Sequence, residues 1–159
     1  MGYAKNMNIG LAGEYMVAGM LSIKGWYASL TLKNYPNIDI IAHKVGTENS
    51  QVGIQVKSTI GQSSILVGRL KKGASEETIR ETIVKGIYVF VVFDKDEANI
   101  ALKMPTFYIV PMNDMVTLVR KTNDAFFNKP RQIEVNDIQP IAIKIADLKP
   151  YENKWDGIC

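Results

Sequence analysis

Ile87 to Phe93 (IYVFVVF) is a run of seven residues in which the phenol of Tyr88 is the one polar side-chain group. A strand with one wet face alternates apolar and polar side chains, so an unbroken run rich in valine and aromatics predicts a strand covered on both faces. Such a strand belongs at the centre of a sheet, with chain packed above and below it. Any fold for these 159 residues has to supply those two layers.

The flanking segments offer them. A helix is expected from a cap at Asn8 to Ile23, with Leu11, Tyr15, Ala18 and Leu21 at helical spacing and Met16, Val17 and Met20 widening the stripe nearly all round. Gly25 is placed to stop it in a left-handed turn. Strands are expected over 26–32, 38–42 and 52–58, separated by the turn Asn34-Tyr35-Pro36-Asn37 and a polar loop over 45–50. A strand over 64–70, the basic loop Arg69-Leu70-Lys71-Lys72-Gly73 and a short helix opened by Ser75, with Ile79, Ile83 and Val84 on one face, precede the apolar run. Beyond it come a strand over 106–111, a helix capped by Asn113 and reaching about 121, a strand over 141–145, and a closing turn or short helix over 147–155 anchored by Trp155. The stretch 123–136 is polar and without a period. Trp26, Tyr88, Phe90 and Phe93 read as core.

Bulk properties narrow the setting. The length fits one domain with a core of its own, and 47% apolar with 22% charged residues is the balance of a soluble globular chain. The net charge of +3 and pI near 8.9 suit a polyanionic partner without approaching a histone-like field. Cys159 alone can form neither an internal disulfide nor a cysteine metal site, which points to a reducing compartment and, by default, the cytoplasm. The apolar stretch from Ile9 to Ile23 is broken by Glu14, followed by Lys24-Gly25-Trp26 with no small-residue cleavage site, and shorter than the ~20 residues a membrane span takes. Asn6 stands where a myristoylation signal has Ser or Thr, so no membrane partner is expected.

Four polar residues look assembled for chemistry. Strand alternation puts Gln55 and Lys57 on one face, with Ile54, Val56 and Ser58 on the other. Asp39 opens the preceding strand, and a hairpin pairing brings its carboxylate toward Gln55. A hard cation such as Mg2+ takes oxygen ligands, which the Asp39 carboxylate, the Gln55 amide oxygen and the Val56 backbone carbonyl can supply. Lys57 beside them can orient a hydroxide or offset charge on a phosphate. Glu14 is the only charged side chain between Lys5 and Lys24, and a buried carboxylate needs a metal, a cation or water facing it. Gly10, Gly13 and Gly19 on the same helix suggest close packing. Taken singly, each residue has an ordinary role: Asp39 as a turn cap, Gln55 and Lys57 as a solvated strand face, Arg69, Lys71 and Lys72 as a wet turn, His43 as surface.

The run Gly10-Leu11-Ala12-Gly13-Glu14-Tyr15-Met16-Val17-Ala18-Gly19-Met20-Leu21, then Gly25-Trp26, Asp39-Ile40-Ile41-Ala42 and Gln55-Val56-Lys57-Ser58-Thr59, resembles the PD-(D/E)XK nuclease superfamily, in its Holliday-junction-resolvase-like and Mrr-like branches. The resemblance spans Asn8 to about Phe93 and implies an α/β, restriction-endonuclease-like αβββαβ core with a central mixed sheet flanked by helices. It divides the single domain 1–159 into a core of about 8–93 and a C-terminal extension of about 94–159. It further implies a Mg2+- or Mn2+-dependent deoxyribonuclease, with Asp39 and Gln55 binding metal, Val56 and Glu14 completing the ligands, and Lys57 as catalytic lysine. Gln55 stands where the family has an acid, which opens the alternative of a weakened nucleic-acid-binding or protein-interaction module on the same fold. Ser58, Thr59, Arg69, Lys71 and Lys72 are candidate phosphate contacts, and a homodimer is common among enzymes that cut both DNA strands.

Overall fold

The computed structural model describes residues 3–32, 37–47, 50–96, 103–130 and 137–158, and for 3–7 the backbone alone. Helix α1 (Tyr3–Ile23) starts upstream of the expected cap, because Ala4, Lys5 and Met7 are good helix formers and nothing before Asn8 breaks the turn. Gly25 at φ +82° ends it, as expected. The buried stripe differs from the expected one. Gly13, Val17 and Leu21 face inward at four-residue steps, whereas Leu11 and Tyr15 are exposed, Tyr15 to 61%. Of the three helical glycines only Gly13 is in a tight place, since a Cβ there would lie 1.9 Å from Ser58 Oγ, while Gly10 and Gly19 have nothing within 4 Å.

The strands are β1 (Trp26–Leu30), β2 (Ile40–Lys44), β3 (Gln51–Ile60), β4 (Ser64–Lys71), β5 (Ile87–Phe93), β6 (Thr106–Val110) and β7 (Ile138–Lys144). The helices after α1 are α2 (Glu76–Thr82), α3 (Met112–Phe127) and α4 (Ile145–Leu148), followed by short 3-10 turns at Lys149–Tyr151 and Trp155–Ile158. Five strands form one mixed sheet in the order β1-β2-β3-β5-β6, with β3 and β5 parallel and the other neighbours antiparallel. The expected αβββαβ sequence of elements is present, with β4 inserted before α2. The apolar run forms β5 and is covered on both faces, but the middle position belongs to β3.

Side chains alternate between two cores. On one face Ile54, Val56, Val89, Val91 and Ile109 pack with Val17 and Leu21 of α1 and with Trp155 and Ile158 from the tail. Trp155 holds the tail by its ring, 5.3 Å from that of Phe107. On the other face Tyr88, Phe90, Tyr108 and Val110 pack with α2, α3 and a separate two-stranded ribbon formed by β4 and β7. Ser75 caps α2 as expected, its hydroxyl accepting from the Thr78 amide at 3.1 Å. Helix α3 begins after Pro111, so Asn113 lies inside it and accepts a hydrogen bond from Arg80 instead of capping, and the helix runs past 121 to Phe127 because Met115, Val116 and Val119 give it a buried stripe. Arg69, Leu70 and Lys71 belong to β4 itself and not to a loop. Pairing with β7 carries the strand through them, leaving Lys72 and Gly73 as the turn. No helix among the described residues is long and apolar enough to cross a membrane.

Candidate active site

The site lies where β2 leaves β3. Their ladder stops at Ile40↔Ile54, while β3 continues to Ile60 along β5. Asp39 sits at that fork, one residue before β2, and is pinned by three contacts. Its N–H donates to the Ile54 carbonyl at 2.9 Å, its C=O accepts from the Thr31 N–H at 2.9 Å, and its Oδ2 accepts from the Val56 N–H at 2.7 Å. A carboxylate oxygen thus takes the amide that the next rung of the ladder would have used, which keeps the parted strand satisfied.

Gln55 and Lys57 pair with Tyr88 and Phe90 of β5 and share their face, as alternation predicts. Gln55 is 5% exposed, and its neighbours decide which way its amide points. Nε2 donates to the Asn37 carbonyl at 3.1 Å and to the Tyr88 hydroxyl at 3.0 Å, and Oε1 accepts from Lys57 Nζ at 3.3 Å. Tyr88 Oη in turn donates to the Ile83 carbonyl at 2.8 Å. Burial, and after it the charge of Asp39, pushes the Tyr88 phenol well above its usual range, so it stays a neutral donor. A chain of hydrogen bonds therefore runs from Lys57 through Gln55 and Tyr88 to the end of α2. Asn37, at φ +60°, supplies the carbonyl because a left-handed residue turns the chain into Asp39.

The structure therefore brings Asp39, Gln55 and Lys57 together. Glu14 is half-buried on α1, next to Gly13, and Gly13 rests against Ser58 of β3. Ser58 faces the α1 side of the sheet, opposite to Lys57, with its Oγ buried and without a hydrogen-bond partner among the described residues. Thr59 is also buried, and neither residue ends the strand, which runs on to Ile60. Arg69 and Lys71 project from the exposed side of the ribbon, and Lys72 follows them in the turn. His43 is exposed, its ring 5.1 Å from that of Tyr27.

Two members of the network, Asn37 and Tyr88, were not singled out for the site from the sequence. Tyr88 carried a signal, being the lone hydroxyl in a doubly buried strand, since a buried phenol needs a partner. Asn37 carried none, because its part is played by a backbone carbonyl.

The fork offers the carboxylate of Asp39 and the amide oxygen of Gln55 as hard donors. Among the described residues no three Asp, Glu, His or Cys side chains group to hold an ion. One carboxylate with neutral oxygens fits Mg2+, which keeps several of its waters, and fits poorly with a softer metal.

No family model matches the chain, and no curated protein does. Among solved structures, a bacterial homing endonuclease, I-Ssp6803I, aligns over 98% of this chain and 92% of its own, with a TM-score of 0.49 and 13% identity. No residue role passes between chains at that identity.

Proposed function

We propose that the chain is a metal-dependent DNA endonuclease of the PD-(D/E)XK type, hydrolysing phosphodiester bonds at the fork between β2 and β3. The observation that supports this is the convergence of Asp39, one residue before β2, with Gln55 and Lys57 in the middle of the neighbouring β3, in the order the resemblance implies. Asp39 and Gln55 would hold Mg2+ or Mn2+, with the Val56 carbonyl as a further ligand; Glu14 enters this reading from the resemblance alone, its helix packing on the face of the sheet opposite Lys57. A hard cation there supplies Lewis acidity and a water that gives up its proton more readily than bulk water. The protein's own part is positional and electrostatic. The Val56 amide fixes the Asp39 carboxylate, and Gln55 holds the Lys57 ammonium, whose remaining N–H groups are donors for phosphate oxygens. A two-fold homodimer would bring one such fork to each strand of a duplex.

Lys57→Ala should abolish Mg2+-dependent cleavage of plasmid, junction and single-stranded substrates with its circular dichroism unaltered. Cleavage at the wild-type rate in that variant refutes the assignment. The amide at position 55 favours a second reading, a nucleic-acid-binding or protein-interaction module whose metal site has lapsed. Under that reading, calorimetric titration with Mg2+ or Mn2+ gives no binding heat while DNA binding stays salt-sensitive.

A further inference from the structure

A basic surface lies on the ribbon and α3, apart from the fork. Alternation, with one bulge between Leu66 and Gly68, turns Ile65, Val67, Leu70, Ile141 and Ile143 inward and leaves Arg69, Lys71 and Lys144 outside. At one end a cleft of about 420 Å3 opens between β7 and α3, with Lys144 on one wall and Lys121 and Lys129 on the other, Phe126 and Ala142 among its apolar lining, and, among the described residues, a single acid, Asp147. At the other end a hollow of about 470 Å3 is lined by Arg69, Lys71, Asp137 and Ile138. The two are tied together by Asn123, a buried residue of α3 whose Nδ2 donates to the Lys71 carbonyl at 2.9 Å.

The spacing of the charges says what they fit. Lys144 pairs with Ser64 at one end of the ribbon and Lys71 with Ile138 at the other, so the cations are spread along ~20 Å of strand at ~3.3 Å per residue. A compact anion such as a free phosphate needs donors that converge on one point. Cations dispersed over ~20 Å match an extended polyanion, and a nucleic-acid strand carries a phosphate every ~3.4 Å of axis. We infer that this face is a docking track for a nucleic-acid backbone, with Lys121, Lys129 and Lys144 at one end and Arg69 and Lys71 at the other as its phosphate contacts. The inference rests on the nuclease reading for its choice of a nucleic acid over an acidic polypeptide, and it assigns the C-terminal third the task of holding substrate that flanks the fork.

The test is binding of a fluorescent short duplex across a salt series in EDTA, so that no cleavage enters. The variant K121A/K129A/K144A is compared with K44A/K85A/K103A, which loses the same charge from other exposed positions. Each phosphate contact contributes a slope of about 0.9 in log K against log salt, so the groove variant should lose roughly 2–3 units of slope and on the order of 100-fold or more in affinity at ~0.1 M salt. The control variant should lose under a tenth of that affinity effect on a logarithmic scale. Equal losses in both variants, or none in either, overturn the track, as does displacement of wild-type protein by polyglutamate but not by unlabelled duplex. Failure here with cleavage still abolished by Lys57→Ala leaves the nuclease site standing. Binding through the groove by a wild-type protein that never cleaves keeps the track and removes the nuclease.

Discussion

Replacing Gln55 by Glu places a carboxylate beside Lys57, and it should destabilise the protein. The Gln55 amide donates twice, to the Asn37 carbonyl and to Tyr88 Oη, from a side chain only 5% exposed. A carboxylate donates nothing. It would set an anionic oxygen where an amide nitrogen now meets the Asn37 carbonyl, and it could win the Tyr88 proton only by taking it from the Ile83 carbonyl. Two lost bonds at ~1 kcal/mol each, with one buried acceptor facing another at ~1–3 kcal/mol, are offset in part by an ion pair with Lys57, leaving a net loss of about 2–4 kcal/mol near neutral pH. For a chain of this length that lowers Tm by roughly 5–15 °C. The new carboxyl prefers its proton when folded, so its folded pKa lies above the unfolded ~4.3 and the variant's deficit is smallest below about pH 4 and grows as pH rises through the folded value. Urea unfolding of Gln55→Glu and wild type between those limits, with and without millimolar Mg2+, measures all of this. If the metal reading is right, Mg2+ recovers part of the deficit by binding the folded state. A variant as stable as wild type at neutral pH without metal would show that the amide's donors are idle, and the orientation assigned to Gln55 would be wrong.

Other substitutions check the frame around the site. Gly13→Ala should cost ~1–3 kcal/mol by forcing Ser58 away, whereas Gly10→Ala and Gly19→Ala, with open space around them, should each stabilise by up to ~1 kcal/mol in thermal unfolding. Ser58→Ala, which removes a hydroxyl unpartnered among the described residues, should be neutral or better alone and should relieve part of the Gly13→Ala cost in a double-mutant cycle. Tyr88→Phe should cost ~1–2 kcal/mol in urea unfolding, because the Ile83 carbonyl and the Gln55 amide each lose a partner in a buried place. Hydrogen bonds from Arg80 and then Arg120 hold the Glu76 carboxyl below its usual range, so its contribution is present above the ordinary carboxyl pKa and is lost as pH falls through the lowered value. Glu76→Gln should flatten that acid limb of the stability profile, and added salt should shrink the difference.

What could be read in the sequence was what short-range periodicity encodes. The apolar run at 87–93 announced a doubly covered strand, and the two-residue period of β3 put Gln55 with Lys57 and set Ser58 apart from them, a point that the suggested phosphate role for Ser58 overlooked. Gly25 and Ser75 carried their turn and cap chemistry openly. Long-range pairing was hidden. Nothing local says that 64–71 will leave the central sheet to pair with 138–144, so Arg69 and Lys71 read as a loop and the cleft with Lys121, Lys129 and Lys144 could not be foreseen. In α1 the all-round apolar character concealed which stripe is buried, because Leu11 and Tyr15 fit the same period as Val17 and Leu21. The role of Gln55 was decided by partners from a turn and a parallel neighbour, and its own position does not reveal them.

The β4–β7 ribbon also fixes when this protein can finish folding. Its two strands are separated by roughly seventy residues, so at a synthesis rate of ~5–20 residues per second β4 waits on the order of 4–14 s for its partner. During that interval Ile65, Val67 and Leu70 lack the strand that later joins them in the core beneath Tyr88 and Phe90. A nascent chain is therefore most exposed to chaperones and to self-association after β5 has formed and before β7 arrives. Purified protein should refold with a late phase that β7 limits, in keeping with the slow closure of distant strand pairs.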